Sequence, residues 1–292
     1  MKYTNLIVIL ILAACFQQDL YSRDNPNKMK KHIALDNEKE LEVDISFGAG
    51  KLIIRPAQKG TLFKGVFKYN KWEPSVKYSV FDDVGKLRIN MPDMDKDKDD
   101  EDTHIKISDW DDLKQNTWEL TFSPEIPISF NIEMGASEND FDFGSMKVEN
   151  LKIQTGASDM TLDFSEPNKV KMRNFTIEAG VSKIIGRNLM NANFREFTFD
   201  GGVGDYEFFL GGSLFYDARL DIDSGVSSTI LTIDPKMAFR AEIDKSFLSS
   251  VRIDGTEKED DLYFSHNYSK SRKILDIFAE TGVGYLKILV GD

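Results

Sequence analysis

The sequence predicts an all-β fold: a β-solenoid-like stack of bent strands with an N-terminal β unit. The first observation behind this is a phrase that recurs seven times, anchored on Gly48, Gly135, Gly156, Gly180, Gly202, Gly225 and Gly282. Each anchor has apolar residues five and three positions before it, an apolar or small residue just after, and apolar residues four and six after. Only Asn139, Gly186 and Thr229 break that pattern. The second observation is the spacing, which runs 21, 24, 22 and 23 residues from Gly135 to Gly225. Periods in this range mark stacked repeats, in which each unit buries its apolar edge only against its neighbours. The third is the punctuation between phrases, such as Ser165-Glu166-Pro167-Asn168 and Arg187-Asn188, which favours turns over long helices. A meander or sandwich with glycine at its turns is the competing arrangement.

Within a phrase the inward parity changes at the glycine. Around Gly156, Leu151, Ile153 and Ala157 share one parity and Met160 and Leu162 the other. Because strand side chains alternate with period two, both halves can face one core only if an extra residue is inserted at a bulge or kinked corner. Glycine suits such a corner, since it reaches unusual backbone angles and leaves room for a neighbouring chain. Two positions beyond each anchor lies only Gly or Ser: Gly50, Ser137, Ser158, Ser182, Gly204, Ser227 and Gly284.

The elements follow in chain order. Residues 1–14 read as a lipoprotein signal peptide: Lys2 precedes an apolar run from Leu6 to Ala14, too short to span a bilayer. Leu12-Ala13-Ala14-Cys15 resembles a bacterial lipobox, which makes Cys15, the one cysteine of the chain, the lipid attachment residue. The expected location is therefore the bacterial cell envelope. Phe16 follows the cysteine, and resemblance to enteric lipoproteins, where Asp at that position favours retention, implies the outer membrane in a two-membrane host. Residues 15–40, polar and carrying Lys28, Lys30 and Lys31, are expected as a tether whose charges are solvated, contact of the basic cluster with anionic headgroups being the alternative. Residues 41–133 form the N-terminal β unit, with strand patterns at Thr61 to Tyr69, Val76 to Phe81, Lys86 to Asn90, Ile105 to Ser108 and Thr117 to Phe122. Residues 134–292 carry the repeats. Around Ala241, Ile243 and Phe247 the rhythm weakens as in a degenerate coil, and residues 254–272 read as a loop or hairpin.

Several phrases combine into a family resemblance: Ser46-Phe47-Gly48-Ala49-Gly50-Lys51-Leu52-Ile53-Ile54, Trp118-Glu119-Leu120-Thr121-Phe122 with Pro124 and Pro127, and Met134-Gly135-Ala136-Ser137. Over residues 41–292 the chain resembles the toast-rack family, related to the putative-adhesin β-solenoids and to the C-terminal domains of cell-wall-active-antibiotic response proteins. The resemblance implies a right-handed stack in the envelope and a part in envelope-stress sensing. It supplies no catalytic residues. The lipobox replaces the membrane-spanning helices of such relatives and argues against direct coupling to a cytoplasmic signalling system.

Composition and motifs limit the chemistry. The 292 residues are 41% apolar with 21 Phe, enough for a substantial core. Thirty-seven basic against 49 acidic residues leave a net charge of −12, which speaks against nucleic acid as a partner. The run Asp93 to Asp102 lacks the glycine and glutamate of an EF-hand and reads as an acidic surface loop with weak cation attraction. Gly201-Gly202-Val203-Gly204-Asp205 fits neither a calcium-binding nonapeptide nor a dinucleotide loop. His32, His104 and His266 have no metal-ligand spacing. No cofactor, metal or catalytic residue is expected. A minority reading, a glycan-active enzyme, would draw on Asp163, Asp200, Asp205, Asp221 and Asp223, although these alternate outward beside apolar slots as surface residues do. Trp118 is expected in the core, and Trp72 and Trp110 at the surface. The leading expectation is a lipid-anchored, non-catalytic envelope protein for adhesion, scaffolding or partner binding, its partner an envelope protein or cell-wall glycan. A sensor of cell-wall damage is the alternative.

Overall fold

The computed structural model describes residues 26–91 and 115–291. In chain order the first strands are β1 (Asn27–Ala34), β2 (Glu40–Pro56), β3 (Thr61–Tyr69), β4 (Ser75–Phe81), β5 (Val84–Asn90) and β6 (Thr117–Phe122). Next come β7 (Pro127–Asp142), β8 (Lys147–Asp163), β9 (Asn174–Arg187), β10 (Glu196–Leu210) and β11 (Ala218–Ile233). The last are β12 (Phe239–Lys245), β13 (Ser249–Ile253), β14 (Thr256–Glu259), β15 (Leu262–Ser265) and β16 (Leu275–Val290). All belong to one sheet.

Each glycine phrase is the middle of one long strand. Those seven strands, β2, β7, β8, β9, β10, β11 and β16, lie side by side in that order and are all parallel. Their register matches phrase to phrase, so Phe199 faces Ile177 on one side and Ile222 on the other. The residues five and three before every glycine are buried, as are those four and six after, Asn139, Gly186 and Thr229 included. The parity change is therefore real, and it turns both arms of each strand toward one core. Aromatic rings run through that core along the stack, Phe175 lying on Phe197 with centroids 4.1 Å apart.

Two expectations about the phrase need correction. The residue just after the glycine was expected to face inward, but only Ala49 does; Ala157, Val181, Val203, Val226 and Val283 are exposed. The bulge puts the glycine and its successor together on the outer side of the bend, which consumes the extra residue. Unusual backbone angles are likewise not the reason for the anchors, none of which has positive φ; that applies only two positions on, at Gly50 (φ 119) and Gly284 (φ 127). Close approach is the reason. A Cβ on Gly135, Gly180, Gly202, Gly225 or Gly282 would stand 2.3–2.8 Å from the carbonyl oxygen of the preceding anchor in the stack.

Each end of the stack is closed by a split rung. At one end β5 pairs with the first arm of β2 and β6 with its second arm. At the other, β12 and β13 divide β16 in the same way. The last phrase therefore inserts between β11 and the degenerate coil instead of following it in space. Antiparallel strands cover the split rungs: β4 on β5, β3 on β6 and β1 on β3, then β15 on β12 and β14 on β15. The excursion at 254–272 is thus a hairpin. Residues 27–34, within the expected tether, are a paired strand. The unit expected over 41–133 shares the sheet and core of the repeats, since β2 itself is the first continuous rung.

Candidate functional site: the corner ridge

The bulge that sends the successor of each glycine outward also aligns those residues from rung to rung. Ala136 pairs with Ala157, Ala157 with Val181, Val181 with Val203, Val203 with Val226 and Val226 with Val283. Small alanines thus give way to four valines exposed by 62, 46, 51 and 40%. In the terminal split rung the corner is occupied by Ser246, Phe247 and Leu248, with Ser246 Oγ bonded to the Gly282 carbonyl and Gly284 N–H donating to the Leu248 carbonyl at 3.4 Å. Phe247 is 95% exposed and Leu248 57%, so the apolar ridge ends in the bulkiest pair on it. Adjacent rungs stand about 4.8 Å apart, making the row from Val181 to Val283 about 14 Å long.

A carboxylate row flanks the ridge, two residues before Gly180, Gly202, Gly225 and Gly282. Glu178, Asp200, Asp223 and Glu280 are neighbours in register, with Asp244 of β12 beyond Glu280. Lys152 neutralises Glu178 at 3.3 Å, and Gln154 donates to it at 2.6 Å. No described cation pairs with Asp200, Asp223 or Glu280. Like charges side by side on neighbouring strands repel and leave a negative band.

Beneath the ridge the inner side of the corner is polar. Asn139 Nδ2 donates to Ser137 Oγ at 2.8 Å, Ser158 Oγ to Ser182 Oγ at 3.2 Å, and Ser227 and Thr229 hydroxyls lie 3.1 Å apart. This accounts for two of the three polar or small residues in apolar slots. The third, Gly186, leaves space already filled by Leu189 and Phe208. Tyr206 is fully buried in the same layer, and its hydroxyl has no hydrogen-bond partner among the described residues. Burial first, then the charges of Asp200 and Asp205, push that phenol up to about 12.

Three of the five carboxylates singled out from the sequence, Asp200, Asp221 and Asp223, line one cavity together with Glu242, Asp244 and Glu280, while Asp163 and Asp205 lie apart from it. The structure brings Asp200 and Asp223 together in the flanking row. Asp221 is held by two 2.6 Å bonds from Arg219, Asp163 accepts from Asn188 Nδ2 at 2.8 Å, and Asp205 lies on the opposite arm. Glycoside hydrolysis asks two carboxyls to play different roles in different environments. Asp200 and Asp223 instead occupy equivalent outward positions on adjacent rungs. No group of His, Cys, Asp or Glu side chains among the described residues is placed to hold a metal ion. Trp118 is in the core, 4.8 Å from the Phe47 ring; Trp72 is half-buried beneath the Lys71 ammonium at 4.8 Å. Cys15, Phe16, His104, Trp110, the strand expected at Ile105 to Ser108 and the acidic run at 93–102 fall outside the described residues. The ridge was missed because two consecutive residues separate the two inward parities, and the sequence counted the second as inward.

Residues 22–185 match the family model described as "N-terminal domain of toast_rack, DUF2154". No curated protein matches the chain. Among solved structures, a "putative cell adhesion protein" from Clostridium sporogenes is similar with 19% identity and a TM-score of 0.47, over 91% of this chain and 100% of that one. A "putative adhesin" from Bacteroides fragilis is similar with 11% identity and a TM-score of 0.34, over 90% of this chain and 97% of that one.

Proposed function

The chain belongs to the toast-rack family, and we propose that it is a non-catalytic, lipid-anchored envelope protein whose corner ridge holds a protein partner. The supporting observation is the in-register row of exposed valines ending in Phe247 and Leu248. Single apolar residues are ordinary on a surface, whereas an aligned apolar strip is characteristic of an interaction site. The carboxylate row beside it selects a partner segment with Lys or Arg flanking an apolar strip, since complementary charge sets register and suppresses wrong partners. A protein fits better than a glycan, because sugars are typically held by aromatic faces and the ridge offers only Phe247. The lipobox-like Leu12-Ala13-Ala14-Cys15 supports the anchor.

The test is capture from crosslinked envelopes with the Val203→Glu/Val226→Glu double variant. Both side chains are exposed, so the variant should melt like the wild type while losing its partner about tenfold or more. Equal capture by wild type and variant would refute the ridge as the site. A constitutive scaffold keeps the same partner after a cell-wall antibiotic; an exchange of partners would mark a sensor of envelope damage instead.

A further inference from the structure

Among the described residues, one face of the β1–β3 pair is basic although the chain as a whole is acidic. Along β1, Lys28, Lys30 and His32 alternate on one face, and the antiparallel register sets Lys68, Val66 and Lys64 of β3 directly opposite them. Directly opposed residues of an antiparallel pair lie on the same face. The next strand, β6, adds Thr117, Glu119 and Thr121 to this face, so its one carboxylate is Glu119, which reaches Lys68 at 3.7 Å. Lys28, Lys30 and Lys64 are exposed and have no carboxylate partner among the described residues. Further along the sheet the cations are already neutralised, Lys51 by Glu138 and Arg55 by Asp140.

This is no solvated charge run on a loose linker. The other face of β1 sets Met29 and Ile33 against the core, which fixes the direction of the lysines. β1 is also the outermost strand at this end of the sheet, so no further described strand covers them. On a chain of net charge −12, such a patch is a local reversal of field. Its place in the chain matters equally. Asn27, the start of β1, is twelve residues after Cys15, so an anchor there holds the patch within about 40 Å of the bilayer surface.

We propose that the β1–β3 face, through Lys28, Lys30, Lys64 and Lys68, rests on an anionic phospholipid bilayer. The stack then stands with its first rung toward the membrane and the Phe247 end of the corner ridge away from it. This orientation rests on the reading of Cys15 as the lipid anchor, but the charge complementarity does not. Basic clusters beside a membrane attachment point are drawn to anionic headgroups within a Debye length, about 8 Å at physiological salt.

The lipidated full chain is reconstituted on vesicles of phosphatidylcholine alone or phosphatidylcholine with phosphatidylglycerol, and the rate of lysine labelling by an amine-reactive reagent is read by mass spectrometry. Lys28, Lys30 and Lys64 should label about three- to tenfold more slowly on the anionic vesicles than on the neutral ones, with Lys183 in mid-stack unchanged. At 1 M salt, where the Debye length is about 3 Å, the difference should vanish. In Lys30→Glu/Lys64→Glu, whose altered side chains face solvent, Lys28 should label on anionic vesicles at its unprotected rate. Equal labelling on both vesicles would overturn docking, as would protection on neutral vesicles that grows with protein density, the mark of a second copy. Flotation with the vesicles at 1 M salt reads the anchor separately. A chain that floats without protection refutes docking alone, and one protected at low salt that fails to float refutes the anchor alone.

Discussion

At Gly180 an added Cβ would stand 2.5 Å from the Gly156 carbonyl oxygen, and at Gly156 it would stand 3.1 Å from that of Gly135. Real Cβ atoms do not approach backbone that closely at the first distance, and there is no flexible side-chain end to yield. Gly180→Ala should therefore cost about 1–3 kcal/mol by overpacking, and Gly156→Ala clearly less, read as shifts in the denaturation midpoint at constant slope. Equal costs would show that the glycine column is not set by close approach. That glycine is required was legible in the sequence. Of the two reasons expected for it, room for a neighbouring chain is the one that holds; the sequence could not choose between them, because a positive φ and a close neighbour leave the same residue behind. Tyr206 carries a second prediction. Its phenol is favoured in the neutral form in the fold, so the stability it contributes is complete below the ordinary value of 10 and is lost as pH rises from there to about 12. Tyr206→Phe should flatten that alkaline loss. At neutral pH it should leave stability unchanged or raise it by about 1 kcal/mol, because the buried hydroxyl it removes lacks a partner. A deeper alkaline loss in the variant would contradict this.

The strands themselves were largely legible as elements, for alternation and turn chemistry are local. Thr61–Tyr69 and Thr117–Phe122 lie where the pattern puts them, and the β4–β5 hairpin turns on Asp82 and Asp83, both with positive φ as a two-residue turn demands. Order in the stack was not legible, since every apolar arm matches every other. The physical rule lies at the corner. A continuous rung must accept a neighbour on both sides, and its glycine allows that. The chain at Ser246, Phe247 and Leu248 has no glycine to offer, so β12 and β13 close the stack and β16 slips inside them. The first phrase behaves alike at the other end, where Met91 Sδ lies 3.0 Å from the Gly48 amide and the Asn116 carbonyl accepts from Lys51 N–H at 2.8 Å. β1 escaped recognition because three lysines in eight residues read as a solvated run, and only its pairing with β3 shows that Met29 and Ile33 are its inward positions.

For the whole molecule, the net charge of −12 conceals an arrangement: cations over β1 and β3, carboxylates beside the corner that no described cation pairs with, and a strip of valines between the two arms. Sequence fixes the sum of charges but not their sharing among rungs, which depends on register. The same register turns the slot after each glycine, expected to face inward, into a continuous apolar line on the exposed side of the corner. The central claim is that this line is where the partner sits. A photo-crosslinking amino acid placed singly at Val181, Val203 and Val226 in living cells, and for comparison at Thr161 and Thr176 away from the ridge, tests it most directly. The ridge positions should yield one common crosslinked species and the two threonine positions none. Crosslinks at all five positions alike, or at none on the ridge, would contradict the account.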